Sequence, residues 1–297
     1  MGHIRLPLCP YKFLAFMHYN LTGKTVLITG ATDGLGKQVA CAAAKAGATL
    51  LLHGRNKAKG ATVVNEIREA SGNNRLFYYN ADFASLQEVK ELSDQVAKEH
   101  QHLHILINNA AIGGGPKGSP TRELSKDGLE LRFAVNYLAH FVLTQNLLPL
   151  LTRSAPARIV HVSSIGQSPL DFSDLMLEKH YDSFDAYCKS KLAQILYSME
   201  LAAQLKDTGV TVNSLHPASL MNTNMVHQFF GRTLSTVEQG LRVVEHVAFS
   251  PKTEGLTGIY FDQLQPGKAH KQAYEPEARR QLWQASMELG KNYLLHH

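Results

Sequence analysis

Residues 24–36, KTVLITGATDGLG, decide how this chain is read. A short run rich in β-branched residues stops at a glycine, and LGKQVACAAAKAGA (35–48) then follows with helical spacing. A strand that turns into a helix through glycines brings free backbone N–H groups and the positive end of a helix dipole to one point. Gly30, Gly34 and Gly36 stand there in GxxxGxG spacing. Glycines at such a turn let the backbone bend tightly and approach a pyrophosphate.

Outward from that turn, apolar runs of strand length alternate with helical patterns. TLLLHGR (49–55), RLFYYNAD (75–82), HILINNAA (104–111), ARIVHVSS (157–164), VTVNSLHP (210–217) and GIYFD (258–262) read as strands. Residues 58–72, 85–100, 128–151 and a segment starting at Ser183 read as helices. Ser85 is the expected N-cap of the second of these, with Glu88 at its capping-box position. Strands apolar on both faces, joined by helices, predict an α/β fold. The expectation is a doubly wound, seven-stranded, mostly parallel Rossmann-type sheet with helices on both faces. Residues 1–20 read as a lead-in, 21–297 as one dinucleotide-binding and catalytic domain, and about 219–240 as a substrate lid.

Composition narrows the function classes. The 297 residues are 44% hydrophobic and 19% charged, which suits a globular chain. The net charge of +5 is scattered, so nucleic acid is not an expected partner. Cys9, Cys41 and Cys188 form no CxxC pair, which points to a reducing, cytoplasmic setting. The apolar character of residues 1–20 is broken by Pro7, Pro10 and Lys12, well short of the ~20 residues of a membrane span. Weak docking on a membrane surface is the most that segment suggests. His100, His102 and His104 alternate without an acid or cysteine to complete a metal site, so no metal is expected. Asp171, Asp174, Asp182 and Asp185 read as solvated loop acids.

Two features carry chemistry. The second strand ends HGRN, with Arg55 and no acid. A guanidinium suits a 2′-phosphate where a carboxylate would hold ribose hydroxyls, so NADP(H) is favoured over NAD(H). In SFDAYCKSKLAQIL (183–196), Tyr187 lies four residues before Lys191, and none of the other ten tyrosines has a lysine there. Residues at i and i+4 share a helix face. An ammonium beside a phenol lowers its pKa from ~10, so Tyr187 could exchange a proton with an alcohol oxygen. The fifth strand ends VSSIG and offers a hydroxyl for the same oxygen.

The order TGxxxGxG, NNAA, a mid-helix Asn, SS and YxxxK resembles the short-chain dehydrogenase/reductase family across nearly the whole chain. The resemblance implies an NAD(P)-dependent oxidoreductase acting on CH–OH groups. It implies the catalytic set Asn136, Ser164, Tyr187 and Lys191. It also implies a cofactor-binding set of Thr29, Gly30, Thr32, Asp33, Gly34, Leu35, Gly36, Arg55, Asp82, Phe83, Asn109, Ala110, Ala111, Tyr187, Lys191, Pro217 and Thr223. Asn108, Asn109 and Ala110 match the family's NNAG segment, with Ala111 in place of Gly. Ser163 competes with Ser164, and Asn222 with Thr223. Ala218 replaces the glycine usual after the proline. Twenty-three residues separate Ser164 from Tyr187, more than the common spacing. That insertion and the tail EARRQLWQASMELG resemble the retinol-dehydrogenase-like branch, which includes the WW-domain oxidoreductase.

Met225, Val226, Phe229 and Phe230 would make an apolar lid, or else pack on the body of the protein. The expected substrate is an apolar carbonyl or alcohol: a retinoid, a steroid, an aromatic or a lipid-like molecule. The rival is a dinucleotide-sensing protein without turnover. A homodimer through helices 128–151 and 183–206 is a family expectation that the insertion and tail could block.

Overall fold

β1 (Thr25–Ile28) is a strand buried on both faces, with Val26, Leu27 and Ile28 fully covered. The computed structural model describes residues 19–115, 118–230 and 233–295. The expected lead-in therefore lies outside the described residues as far as residue 18. After β1 come α1 (Gly34–Lys45), β2 (Thr49–Gly54), α2 (Lys57–Ser71), β3 (Leu76–Asn80), α3 (Leu86–Glu99) and β4 (Ile105–Asn108). α4 (Leu131–Phe133), a π-turn (Ala134–Leu138) and α5 (Ala139–Arg153) then lead to β5 (Ala157–Val162). α6 (Ser183–Gln204), β6 (Val210–His216), α7 (Asn224–Phe230), α8 (Val237–Phe249), β7 (Tyr260–Asp262), β8 (Gln265–Pro266) and α9 (Pro276–Gly290) complete the order.

The sheet runs β3-β2-β1-β4-β5-β6-β7-β8, parallel except for the last pair. Eight strands replace the expected seven, because two residues after β7 fold back against it. Strand order reverses between β1 and β4, and in such sheets the crevice beyond the carboxyl ends at that point receives ligands. One apolar layer packs the sheet against α3, α5 and α6, and the other against α1, α2 and α8.

Local readings changed in detail. The helix expected over 128–151 starts at Leu131 and holds a π-turn at residues 134–138. Ser85 caps α3 by accepting from the Glu88 amide at 3.3 Å. The Glu88 carboxylate, however, accepts from the Asp82 amide at 2.7 Å, so the capping box does not close. A complete box stands on α8, between Thr236 and Gln239. The loop acids are not merely solvated: Asp182 caps α6, Asp185 pairs with Lys189 at 2.8 Å, and Asp171 and Asp174 close turns. α9 lies across α5 and α6. Trp283 packs on Phe141 and Tyr197, and the Tyr137 and Ser286 hydroxyls meet at 2.6 Å. There the chain's own tail covers part of α5 and α6.

His53, His140 and His161 are buried without charge. Burial pulls His53 to about 4 and His161 to about 3, and holds His140 well below its usual value. Unfolded, each titrates near 6.5. Between those values the unfolded chain binds more protons, so stability is present above pH ~6.5 and is lost as pH falls toward 4. His53 and His161 should each cost roughly 2 kcal/mol at pH 5. Thermal unfolding should begin about 8 °C lower at pH 5 than at pH 7.5. A midpoint unmoved between those pH values would refute this.

Candidate active site

The glycine turn forms because its backbone leaves no room for side chains. A Cβ on Gly36 would lie 2.2 Å from the Gly30 carbonyl oxygen, and one on Gly30 would lie 2.8 Å from Ala110 Cα. Gly30 also has φ +65°. Asp33 caps α1, accepting from the Gly34 amide at 2.8 Å. Thr29 is fully buried, and its hydroxyl oxygen accepts from the amides of Asn109 (2.8 Å) and Ala110 (2.9 Å). The Asn109 amide group donates back to the Thr29 carbonyl at 2.9 Å. The turn after β1 and the segment after β4 are thus locked together across the strand-order reversal. Asn108 points into the core and donates to Thr144 at 3.0 Å. Ala110 and Ala111 are half-buried at the crevice.

Arg55 is exposed at the end of β2. Thr32 is packed close to Gly54, where a Cβ would meet its Cγ2 at 2.6 Å. Asp33, on the glycine turn, is paired with Lys59 at 2.7 Å and receives a bond from Asn224 at 2.9 Å. Lys59 offsets its charge, so Arg55 leaves a net cation. Asp82 is half-buried at the rim and accepts from the Ala84 amide at 3.1 Å. The Phe83 ring is buried, stacked on His53 at 4.2 Å and edge-on to His140 at 5.2 Å. Leu35 is buried too, packing with Pro217 around Gly240. Thr223 sits against the glycine turn, 3.3 Å from where a Gly34 Cβ would be. Asn222 is exposed and bonded to His227, so Thr223 is the nearer of the two to the turn.

Tyr187 stands on the first turns of α6, half-buried, with Lys191 Nζ 5.7 Å from its ring centre. Ser163 and Ser164 separate clearly. Ser163 is buried and its hydroxyl donates to the Lys191 carbonyl at 2.7 Å. Ser164 is half-exposed and its hydroxyl hydrogen-bonds the Tyr187 phenol. Asn136 is fully buried in the π-turn. Its side chain accepts from the Ile112 amide (2.8 Å) and donates to the Ile112 carbonyl (3.1 Å) and to Ser190 (3.0 Å). Ser190 in turn donates to the Tyr187 carbonyl at 2.7 Å. Ser164, Tyr187 and Lys191 thus lie together, and Asn136 is linked to them through Ser190.

Electrostatics differ from the simplest expectation. Burial holds the Tyr187 phenol above its usual value, and the bond with Ser164 pulls it back down. Burial also lowers Lys191 to about 7. Its ammonium donates to the Val162 carbonyl (2.9 Å) and to the Gln194 side-chain oxygen (3.1 Å). In the chain alone, desolvation outweighs the attraction between lysine and phenolate.

Several site-forming residues escaped the sequence reading. A Cβ on Gly114 would lie 2.9 Å from both Tyr187 Cβ and Phe184 Cα, so the triplet Gly113–Gly115 lets α6 approach β4. Three glycines just past NNAAI were the available signal. Arg132 bonds Gly113, Tyr181 and Glu123, and Tyr181 donates to Glu130, pinning the insertion beside the site. Nothing local in the sequence marks that pairing. In the lid, Val226 is buried and Met225 half-buried, whereas Leu234 is 67% exposed. The side chains of Phe229 and Phe230 lie outside the described residues. Among the described residues no group of His, Cys, Asp and Glu could hold a metal, and no helix is long and apolar enough to cross a membrane.

Comparison with known proteins agrees with this geometry. The family model for short chain dehydrogenase matches residues 24–232. Mouse retinol dehydrogenase 13 is 36% identical over 95% of this chain and 86% of its own length. A crystal structure of a Mycobacterium paratuberculosis protein superposes with a TM-score of 0.76 at 26% identity, covering 93% of this chain and 96% of that one. A short chain dehydrogenase from Escherichia coli CFT073, complexed with NADPH, has a TM-score of 0.68 at 26% identity, covering 83% and 98%. The chain belongs to the short-chain dehydrogenase/reductase family, in its retinol-dehydrogenase-like branch, and is a dehydrogenase/reductase.

Proposed function

We propose that this enzyme moves a hydride between NADP(H) and an apolar carbonyl or alcohol, of the retinoid, steroid, aromatic or lipid-like kind, with Tyr187 as acid/base. The observation that carries the reading is the meeting of Tyr187, Ser164 and Lys191 beside a glycine turn that no side chain could enter. That turn fits a pyrophosphate: the first turn of α1 offers backbone donors, and a Cβ on Gly30 or Gly36 would strike backbone. When bound, the nicotinamide supplies or takes up the hydride. The chain's own residues handle the proton. Ser164 holds the substrate oxygen, and Tyr187 gives its proton to that oxygen on reduction or takes it on oxidation. Lys191 favours the phenolate that remains, and Asn136 fixes Ile112 and Ser190 around them. Arg55 and Lys59 supply the positive charge for a 2′-phosphate against one carboxylate, Asp33.

The name of the mouse relative and the NADPH of the bacterial neighbour favour the same reading. The test is NADPH oxidation with a panel of apolar aldehydes and ketones, run beside NADH. Turnover should favour NADPH. Arg55→Ala should lower kcat/KM for NADPH by roughly 10- to 100-fold, the worth of one bond to a charged group, and leave NADH within about threefold. Equal losses with both cofactors would remove the 2′-phosphate assignment. Tight cofactor binding without turnover on any substrate would favour a sensor.

A further inference from the structure

His140 lies between the glycine turn and the catalytic helix and belongs to none of the sets above. It is fully buried. One ring nitrogen, Nε2, is 3.0 Å from the Thr29 hydroxyl, and the other, Nδ1, is 2.9 Å from the main-chain carbonyl of Asn136.

The proton positions follow from counting. The Thr29 oxygen already accepts from the amides of Asn109 and Ala110, which fills both lone pairs. Its own hydrogen must therefore be donated. The Ile107 carbonyl lies at 3.4 Å, near the limit of a hydrogen bond, whereas His140 Nε2 lies at 3.0 Å. Nε2 is thus the acceptor, and Nδ1 carries the ring hydrogen and donates to Asn136. Burial keeps the ring neutral, which this arrangement requires. The edge-on contact with Phe83, itself stacked on His53, fixes the ring plane. His53 Nδ1 in turn accepts from the Gly30 amide at 3.3 Å. π-turns form where a helix departs from regular bonding, often at functional sites, and here the Asn136 carbonyl finds a side-chain donor.

We infer that His140 is a positioning residue that joins the phosphate-binding turn to the catalytic helix, through Thr29 on one side and Asn136 on the other. From Asn136 the chain of bonds continues through Ser190 to the Tyr187 carbonyl. Cofactor and proton donor are then held in one frame. The functional part of this inference rests on the reading that the site binds a dinucleotide and transfers hydride. The structural part does not.

The test uses the full chain with His140→Leu and His140→Gln. Without any cofactor, His140→Leu should speed amide hydrogen exchange at least tenfold in peptides covering 107–112 and 134–141, with other β-strands unchanged. Dinucleotide affinity and kcat should each fall about tenfold, with KM for the carbonyl substrate unmoved. His140→Gln, which keeps a donor and an acceptor, should recover most of both. In a cycle with Thr29→Val, the double variant should bind dinucleotide no worse than the weaker single one. Exchange unchanged at 107–112, or losses that multiply in the cycle, would overturn the inference. If His140→Leu fails to fold, His140→Asn, whose side chain is too short to bridge Thr29 and Asn136, carries the test beside His140→Gln. His140→Asn should lose about tenfold in affinity and gain about tenfold in exchange where His140→Gln does not, and equal behaviour of the two would overturn the inference. Should the parent bind no dinucleotide at all, the functional reading fails while the exchange result still stands or falls by itself.

Discussion

Tyr187→Phe should lower kcat by about 10²- to 10⁴-fold while leaving dinucleotide affinity within about twofold. The substitution removes one oxygen and keeps the ring, so packing against Phe184 and the contact with Lys191 persist. What disappears is the hydroxyl beside Ser164 that is proposed to pass the proton. The expected signature is a fall in kcat with KM nearly constant, because the lost interaction belongs to the transition state. Single-turnover hydride transfer monitored by nicotinamide fluorescence, beside a direct binding titration, separates the two effects. Retained turnover would move the acid/base role to another group. Unchanged binding with abolished turnover would also exclude the sensing reading, since a sensor has no use for the phenol.

Gly36→Val should be the most damaging change at the cofactor end. Even a methyl group there would sit 2.2 Å from the Gly30 carbonyl oxygen and 2.5 Å from the Asn109 side chain. The nearest of these is backbone, so relief requires the turn itself to shift. Overpacking of this sort costs about 1–3 kcal/mol or more, and moving the turn away from a pyrophosphate costs binding as well. Dinucleotide affinity should fall at least 100-fold, with a thermal midpoint several degrees lower. Isothermal titration and differential scanning calorimetry read both. Binding within threefold of the parent would mean that the turn does not touch the cofactor.

The sheet and the grouping of Tyr187 with Lys191 were legible because both are written in short, local signals. Strand-length apolar runs such as KTVLITGA and ARIVHVSS need no partner to be recognised. Tyr187 and Lys191 share a helix face by spacing alone. Residues whose meaning depends on distant partners were not legible. Lys59 becomes relevant only because α2 brings it to Asp33, and Arg132 only because the insertion returns Tyr181 to it. Phe83 packs on His53 and His140, which lie 30 and 57 residues away in sequence, a contact no local pattern announces. The π-turn at Asn136 left no mark in a helical pattern that runs through it unbroken. Burial also reversed the simplest electrostatic reading, since the i+4 spacing reports proximity but not the loss of water around both groups.

The tail across α5 and α6 bears on how the chain reaches this fold. Tyr137 and Ser286 are 149 positions apart, and Asp127 meets Tyr293 over 166. Closing loops of that length is slow, and a chain made from its amino end cannot form these contacts until almost all of it has been synthesised. Until then the aromatic ledge of Tyr137, Phe141 and Tyr197 has no lid of its own. A nascent enzyme of this shape would hold that aromatic surface uncovered on the ribosome, one residue away from Asn136, until the tail arrives to cover it.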